Sequence, residues 1–159
     1  MPSSGGEPLR LQDFLPYRLS VAANAVSRHI ARAYEPRFGL KNAQWRLLAV
    51  LADEGPLTPQ MLCGHTVMDK VTVMRAAQGL LRRRLVRRLV NPQDGRSHRL
   101  RITADGRRLY HRIVPLARCY EAQILDGIGG REIARLQMLL RRIEQAASAP
   151  REGRVSARM

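Results

Sequence analysis

A chain of 159 residues with 45% hydrophobic composition has the material for one compact domain of ordinary size. Its 28 lysines and arginines outnumber 13 aspartates and glutamates, and the resulting +15 at pH 7 repels cations and selects polyanions, nucleic acid first. The opening residues MPSSGGEP hold no apolar run of a signal sequence, and no stretch approaches the ~20 apolar residues that cross a bilayer, so a cytoplasmic location away from membranes is expected.

Residues 1–8 are expected to be disordered. From Leu11 onward Leu15, Leu19, Ala22, Val26, Ile30 and Tyr34 recur every three or four positions, which predicts one long helix over 9–38 that Pro36 and Gly39 end. Trp45, Leu48, Ala49 and Leu51 mark a second helix, closed by the Asp-Glu-Gly-Pro breaker at 53–56, and a short helix follows near Gln60 to His65. Asp69 is a good N-cap for a helix over about 69–83 that carries Val73, Ala76, Ala77, Leu80 and Leu81.

Beyond Arg84 the texture changes. Leu85 to Val90 is aliphatic and β-branched, Asn91 to Ser97 is a turn cluster, and Leu100 and Ile102 alternate with Arg99 and Arg101, which predicts a hairpin over about 85–102. Thr103 can cap a helix striped by Leu109, Ile113, Leu116, Tyr120 and Ile124 and kinked at Pro115; a last helix repeats the pattern with Ile133, Leu136, Leu140, Ile143 and Ala147. The basic tail over 149–159 is expected to be disordered. The fold class is therefore mainly α with a small β-hairpin. A winged helix-turn-helix lobe is expected over 40–104, and the N- and C-terminal helices, 9–38 and 104–148, carry broad apolar stripes suited to a dimerisation domain.

In that order of elements the helix from Asp69 is the one that lies in a major groove about 12 Å wide, with the hairpin reaching along the DNA. Between Arg82 and Arg112 eleven arginines face two acids, Asp94 and Asp105, so charge is concentrated where the motif needs it. Lys70, Thr72, Val73, Arg75 and Gln78 are the candidate DNA contacts on the helix, with Thr and Val suited to thymine methyl groups. Arg96 and Arg99 are the candidates on the hairpin, Arg96 for a narrow minor groove with its enhanced negative potential. Asp94-Gly95 as a plain hairpin turn with Arg96 solvated at its tip is the simpler alternative.

The segments LKNAQWRLLAVLADEGPLTPQML, VMDKVTVMRAAQGLLRRRLVRR and NPQDGRSHRLRITADG resemble the helices, recognition helix and wing of the MarR (multiple antibiotic resistance regulator) family, and the likeness spans Phe14 to about Ala147. The resemblance implies a homodimeric transcriptional regulator of duplex DNA, released by a small aromatic acid held between the dimer helices and the DNA-binding lobe. It implies an Asp94–Arg96 pair in the wing, a DNA-contacting role for Arg75, and Arg18, Trp45 and His111 as effector contacts: Arg18 for a carboxylate, Trp45 as a stacking wall, His111 as a hydrogen-bonding group. Two departures stand out. Arg84 occupies the place where the family most often has Gly, which either distorts that turn or adds a phosphate contact. The first helix also lacks the cysteine of the peroxide-sensing subgroup.

Other classes fit less well. Cys63, His65, His98, His111 and Asp105 supply reactive side chains, but no Gly-rich phosphate loop, nucleophile elbow or carboxylate pair frames them, so no catalytic residue is assigned and an enzyme is not expected. Four histidines and two cysteines show no ligand-like spacing, so neither metal nor other cofactor is assigned, although a metal-responsive regulator stays open through Cys63-x-His65. A non-specific architectural nucleic-acid-binding protein would explain the charge but not a capped helix followed by a wing.

Overall fold

The computed structural model describes residues 9–90, 94, 95 and 97–149. One compact unit ends at Glu121 and a second begins at Ala122. A 3-10 turn over Leu11–Asp13 precedes α1 (Leu15–Ala31), α2 (Glu35–Phe38), α3 (Asn42–Asp53), α4 (Pro59–Thr66), α5 (Lys70–Arg82), β1 (Val86–Val90), β2 (His98–Ile102), α6 (Ala104–Ile124) and α7 (Gly130–Ser148). Among the described residues no helix is long and apolar enough to cross a membrane. Residues 1–8, 91–93, 96 and 150–159 lie outside the described residues, and with them the expected disordered ends, part of the expected turn cluster and the expected Asp94–Arg96 pair.

The single helix expected over 9–38 is instead three pieces. Pro16 sits in the first turn of α1 and Pro36 in the first turn of α2, the positions where the missing N–H costs nothing. Pro36 cannot donate to the Arg32 carbonyl, so the chain turns at Arg32–Tyr34 and drops Ala33 and Tyr34 into the core. The Tyr34 hydroxyl donates to Asn42 Oδ1 at 2.9 Å, and burial, with the Glu35 carboxylate nearby and Arg46 opposing, pushes its pKa up to about 12.

The core of the first unit collects Leu47, Leu48 and Leu51 from α3, Leu62 from α4, Val73 and Leu80 from α5, Leu100 from β2 and Ile113 from α6, all buried. Each such side chain contributes roughly 1.5–3 kcal/mol of transfer free energy, which sets the orientation of α5 against α3 and α4. The hairpin pairs antiparallel in the register Val86↔Ile102, Arg88↔Leu100 and Val90↔His98, and Leu57 adds a third edge by exchanging backbone bonds with Leu100 at 3.1 and 2.8 Å. The helix expected to kink at Pro115 is α6, which continues through that residue to Ile124.

Two turns place non-glycine residues in the left-handed region. Val67 ends α4 at φ 53 and is 88% exposed. Arg84 follows α5 at φ 56, where the Arg84 amide bonds to the Leu81 carbonyl and the Leu85 amide to the Leu80 carbonyl, the two bonds of a Schellman turn. An L-residue with a Cβ pays about 1–2 kcal/mol for that conformation and glycine pays almost nothing. Val67→Gly is therefore expected to stabilise the protein by roughly 1 kcal/mol in urea unfolding, after the added freedom of the unfolded chain is subtracted; a loss of stability would show that the Val67 side chain holds the turn.

Candidate nucleic-acid interface

The recognition helix is held at its start by Asp69, whose carboxylate accepts from the Thr72 amide at 2.8 Å and from the Thr72 hydroxyl at 2.6 Å. These bonds favour the charged form and lower the Asp69 pKa, Thr72 being the main cause. The Thr72 hydroxyl hydrogen is thereby committed to the cap, and only the half-buried remainder of that side chain is left to meet DNA.

At 100° per residue, Val71, Arg75, Gln78 and Arg82 fall on one line along α5, and Val73, Ala76, Ala77 and Leu80 lie opposite. The burial pattern follows that geometry: the first four are exposed and the second four buried, with Val71 at 65% and Val73 at 0%. Val73 as a DNA contact is corrected: it is a core residue, and Val71 takes the outward place. Lys70, Arg75 and Gln78 are exposed on α5. With Val71 and Met74 they line a shallow hollow of about 350 Å³, and Arg75 and Arg82 also border one of about 420 Å³ with Lys41, Gln44 and Thr72. Val71, Met74 and Arg82 share this surface and were not named from the sequence, although the phase fixed by the buried stripe points to all three.

The basic run divides by role. Arg83 sends its two guanidinium nitrogens to the Gly39 and Phe38 carbonyls at 3.1 and 2.8 Å, tying the end of α2 to the end of α5. Arg112 lies over the Phe38 ring at 5.1 Å, Arg108 pairs with Asp105, and Arg107 reaches the Ala52 carbonyl at 3.5 Å. Arg82, Arg84, Arg87 and Arg88 instead line a hollow of about 630 Å³ between the end of α5 and β1. Arg99 is half-buried on β2 opposite Leu89.

The wing is anchored by the Ile-Thr-Ala-Asp-Gly segment. Thr103 Oγ1 donates toward the Arg84 and Leu85 carbonyls at 2.8 and 3.0 Å and accepts from the Gly106 amide at 3.0 Å. A Cβ on Gly106 would stand 2.1 Å from the Leu85 carbonyl oxygen, so only glycine lets α6 start this close to the wing.

Of the expected effector residues, Trp45 and His111 are brought together and Arg18 stands apart. Trp45 is half-buried and stacked on Tyr110 at 5.7 Å, with Tyr34 tilted against it at 5.5 Å, and His111 meets Tyr110 edge-on at 5.4 Å. Arg18 is exposed near the start of α1, and none of these ring contacts involves it. Sequence reading missed His29, whose Nε2 is buried without a hydrogen-bond partner and whose ring lies 5.3 Å from Tyr120. Among the described residues no three His, Cys, Asp or Glu side chains gather into a metal site; Cys63 packs against the core and His65 is 3.9 Å from Glu54.

A family model for the MarR family matches residues 38–97, the span from the end of α2 through the wing turn. A MarR-family transcriptional regulator from Silicibacter pomeroyi is 27% identical, with 92% of this chain and 100% of that one covered at a TM-score of 0.75. A probable transcriptional regulator from Pseudomonas aeruginosa is 28% identical over 84% of this chain and 99% of its own, at a TM-score of 0.74. BpsR of Bordetella bronchiseptica, whose DNA binding is regulated by 6-hydroxynicotinic acid, shares the fold at 24% identity and a TM-score of 0.77, covering 87% of this chain and 98% of its own. The comparison with curated proteins finds no match. With its helix order, capped α5 and anchored hairpin, the chain has the winged-helix fold of MarR-family transcriptional regulators, and its likeness to that family is carried by residues 38–97.

Proposed function

We propose that this protein is a sequence-specific repressor that binds a pseudo-palindromic operator as a homodimer and is released by a small aromatic carboxylate. One observation carries the DNA-binding reading: Val71, Arg75, Gln78 and Arg82 form an outward line on a helix whose opposite face is locked in the core. Lys70 and Arg75 supply phosphate or guanine contacts, Gln78 an adenine edge, and Val71 an apolar surface for a thymine methyl. Arg96 and Arg99 extend the footprint along the wing, Arg96 into the minor groove.

Exposed apolar side chains outside the lobe favour a second copy as partner. On α1 these are Leu15, Val21 and Val26, and on α7 Leu136, Leu139 and Ile143, the last three at the spacing of one helix face. For the effector, the Trp45–Tyr110 stack offers a flat apolar surface with His111 as a polar partner, and Arg18, apart from these rings within one chain, is the carboxylate-binding group that the family resemblance implies. That BpsR responds to an aromatic carboxylate agrees with this choice.

A duplex selected from a random pool, with half-sites ~10 bp apart, is expected to bind at least ~10³-fold more tightly than its scrambled version at physiological salt. Equal affinity for both would leave a non-specific architectural protein. Calorimetry with a panel of aromatic acids on the wild type and Arg18→Ala tests the release step; absence of binding, or equal binding by the variant, removes Arg18 from the site.

A further inference from the structure

We propose that Arg84, with Arg82, Arg87 and Arg88, forms a phosphate seat just beyond the C-terminal end of the recognition helix, and that a backbone phosphate of bound DNA occupies it; this rests on the DNA-binding reading above. The left-handed turn after α5 is closed by backbone bonds that glycine would make without strain, yet the residue there is an arginine at φ 56 with its side chain exposed. Strain kept at an exposed position points to a use for the side chain.

The surroundings say what the use is. Arg82, Arg84, Arg87 and Arg88 border one hollow of about 630 Å³ together with Leu81 and Val86, and no carboxylate is among its lining residues. None of the four arginine side chains has a hydrogen bond or ion pair among the described residues, in contrast to Arg83, Arg107, Arg108 and Arg112. Like charges gathered around one hollow repel, and a phosphate oxygen pair relieves that repulsion through the planar, bidentate geometry of arginine. Two sources could deliver it: the DNA backbone, or a free polyphosphate. The hollow joins the outward line of α5 through Arg82, so a duplex lying along Val71, Arg75 and Gln78 brings its own backbone to the seat.

Arg84→Gly separates strain from charge because the two effects have opposite signs. The variant is expected to melt about 4 °C higher, yet to bind a mixed-sequence 30-bp duplex more weakly, with the slope of log affinity against log salt reduced by about one. Arg84→Lys should keep the slope, and Arg87→Gln and Arg88→Gln should each weaken binding, the combined variant losing no more than the one slope unit of a single phosphate. Calorimetric titration with inorganic pyrophosphate distinguishes the source. A changed DNA slope assigns the seat to the backbone. Pyrophosphate binding that Arg84→Gly abolishes, with an unchanged DNA slope, assigns it to a free polyphosphate and overturns the DNA assignment. If the wild type binds DNA with a salt-dependent affinity and Arg84→Gly changes neither measurement, the seat does not exist. If the wild type fails to bind any duplex, the DNA-binding reading itself has failed.

Discussion

Replacing Lys70, Arg75 and Gln78 together by alanine is expected to weaken binding to a selected operator by at least ~10³-fold, since each polar base or phosphate contact is worth about 1–3 kcal/mol. All three side chains are exposed, so the urea midpoint should correspond to a change within about 0.5 kcal/mol of the wild type. The valines two residues apart on the same helix provide the sharper comparison. Val71→Ala removes a 65% exposed side chain and should lower operator affinity roughly fivefold with stability intact. Val73→Ala empties a fully buried site and should cost about 2 kcal/mol of stability. Identical consequences for the two would mean that the helix is rotated from the orientation described.

Gly106→Ala is expected to destabilise the protein by about 2–3 kcal/mol, because its Cβ would stand 2.1 Å from the Leu85 carbonyl oxygen and 2.8 Å from Ile102 Cγ1. Backbone cannot swing aside as a long side chain would, so α6 or the base of the wing must move. The Thr103 hydroxyl, which joins both, moves with them. Gly79 is a useful control on the same scale. The atom nearest its added Cβ, also at 2.1 Å, is the amide nitrogen of the half-buried Gln44, a flexible side-chain end that moves at the cost of its 3.0 Å bond from the Lys41 amide, less than backbone would cost. Equal losses at the two glycines in urea unfolding would contradict this account of the wing anchor.

The winged helix-turn-helix was legible because its elements depend on local periodicity, caps and turns. Asp69 caps α5 as its sequence position implies, and Thr103 holds Gly106 at the start of α6. Contacts between distant segments were less legible. Nothing local distinguishes Arg83, whose partners lie 44 and 45 residues earlier, from Arg84, which is exposed and borders the open hollow. Arg107 and Arg112 are spoken for by Ala52 and Phe38 in the same way. Val73 was misread for a different reason: it was assigned both to the apolar stripe and to the DNA face, and one helix cannot turn a side chain both ways. The break at Arg32–Tyr34 was missed because the apolar repeat runs on to Tyr34, while Pro36 determines where the backbone can continue.

Dimethyl sulfate protection tests most directly whether α5 enters the major groove, since the reagent methylates guanine N7 there and adenine N3 in the minor groove. On a selected operator the wild type should protect guanine N7 in two patches about one turn, ~10 bp, apart, and the Lys70→Ala, Arg75→Ala, Gln78→Ala variant should lose both. Protection confined to adenine N3, or patches that persist in the variant, would contradict insertion of this helix.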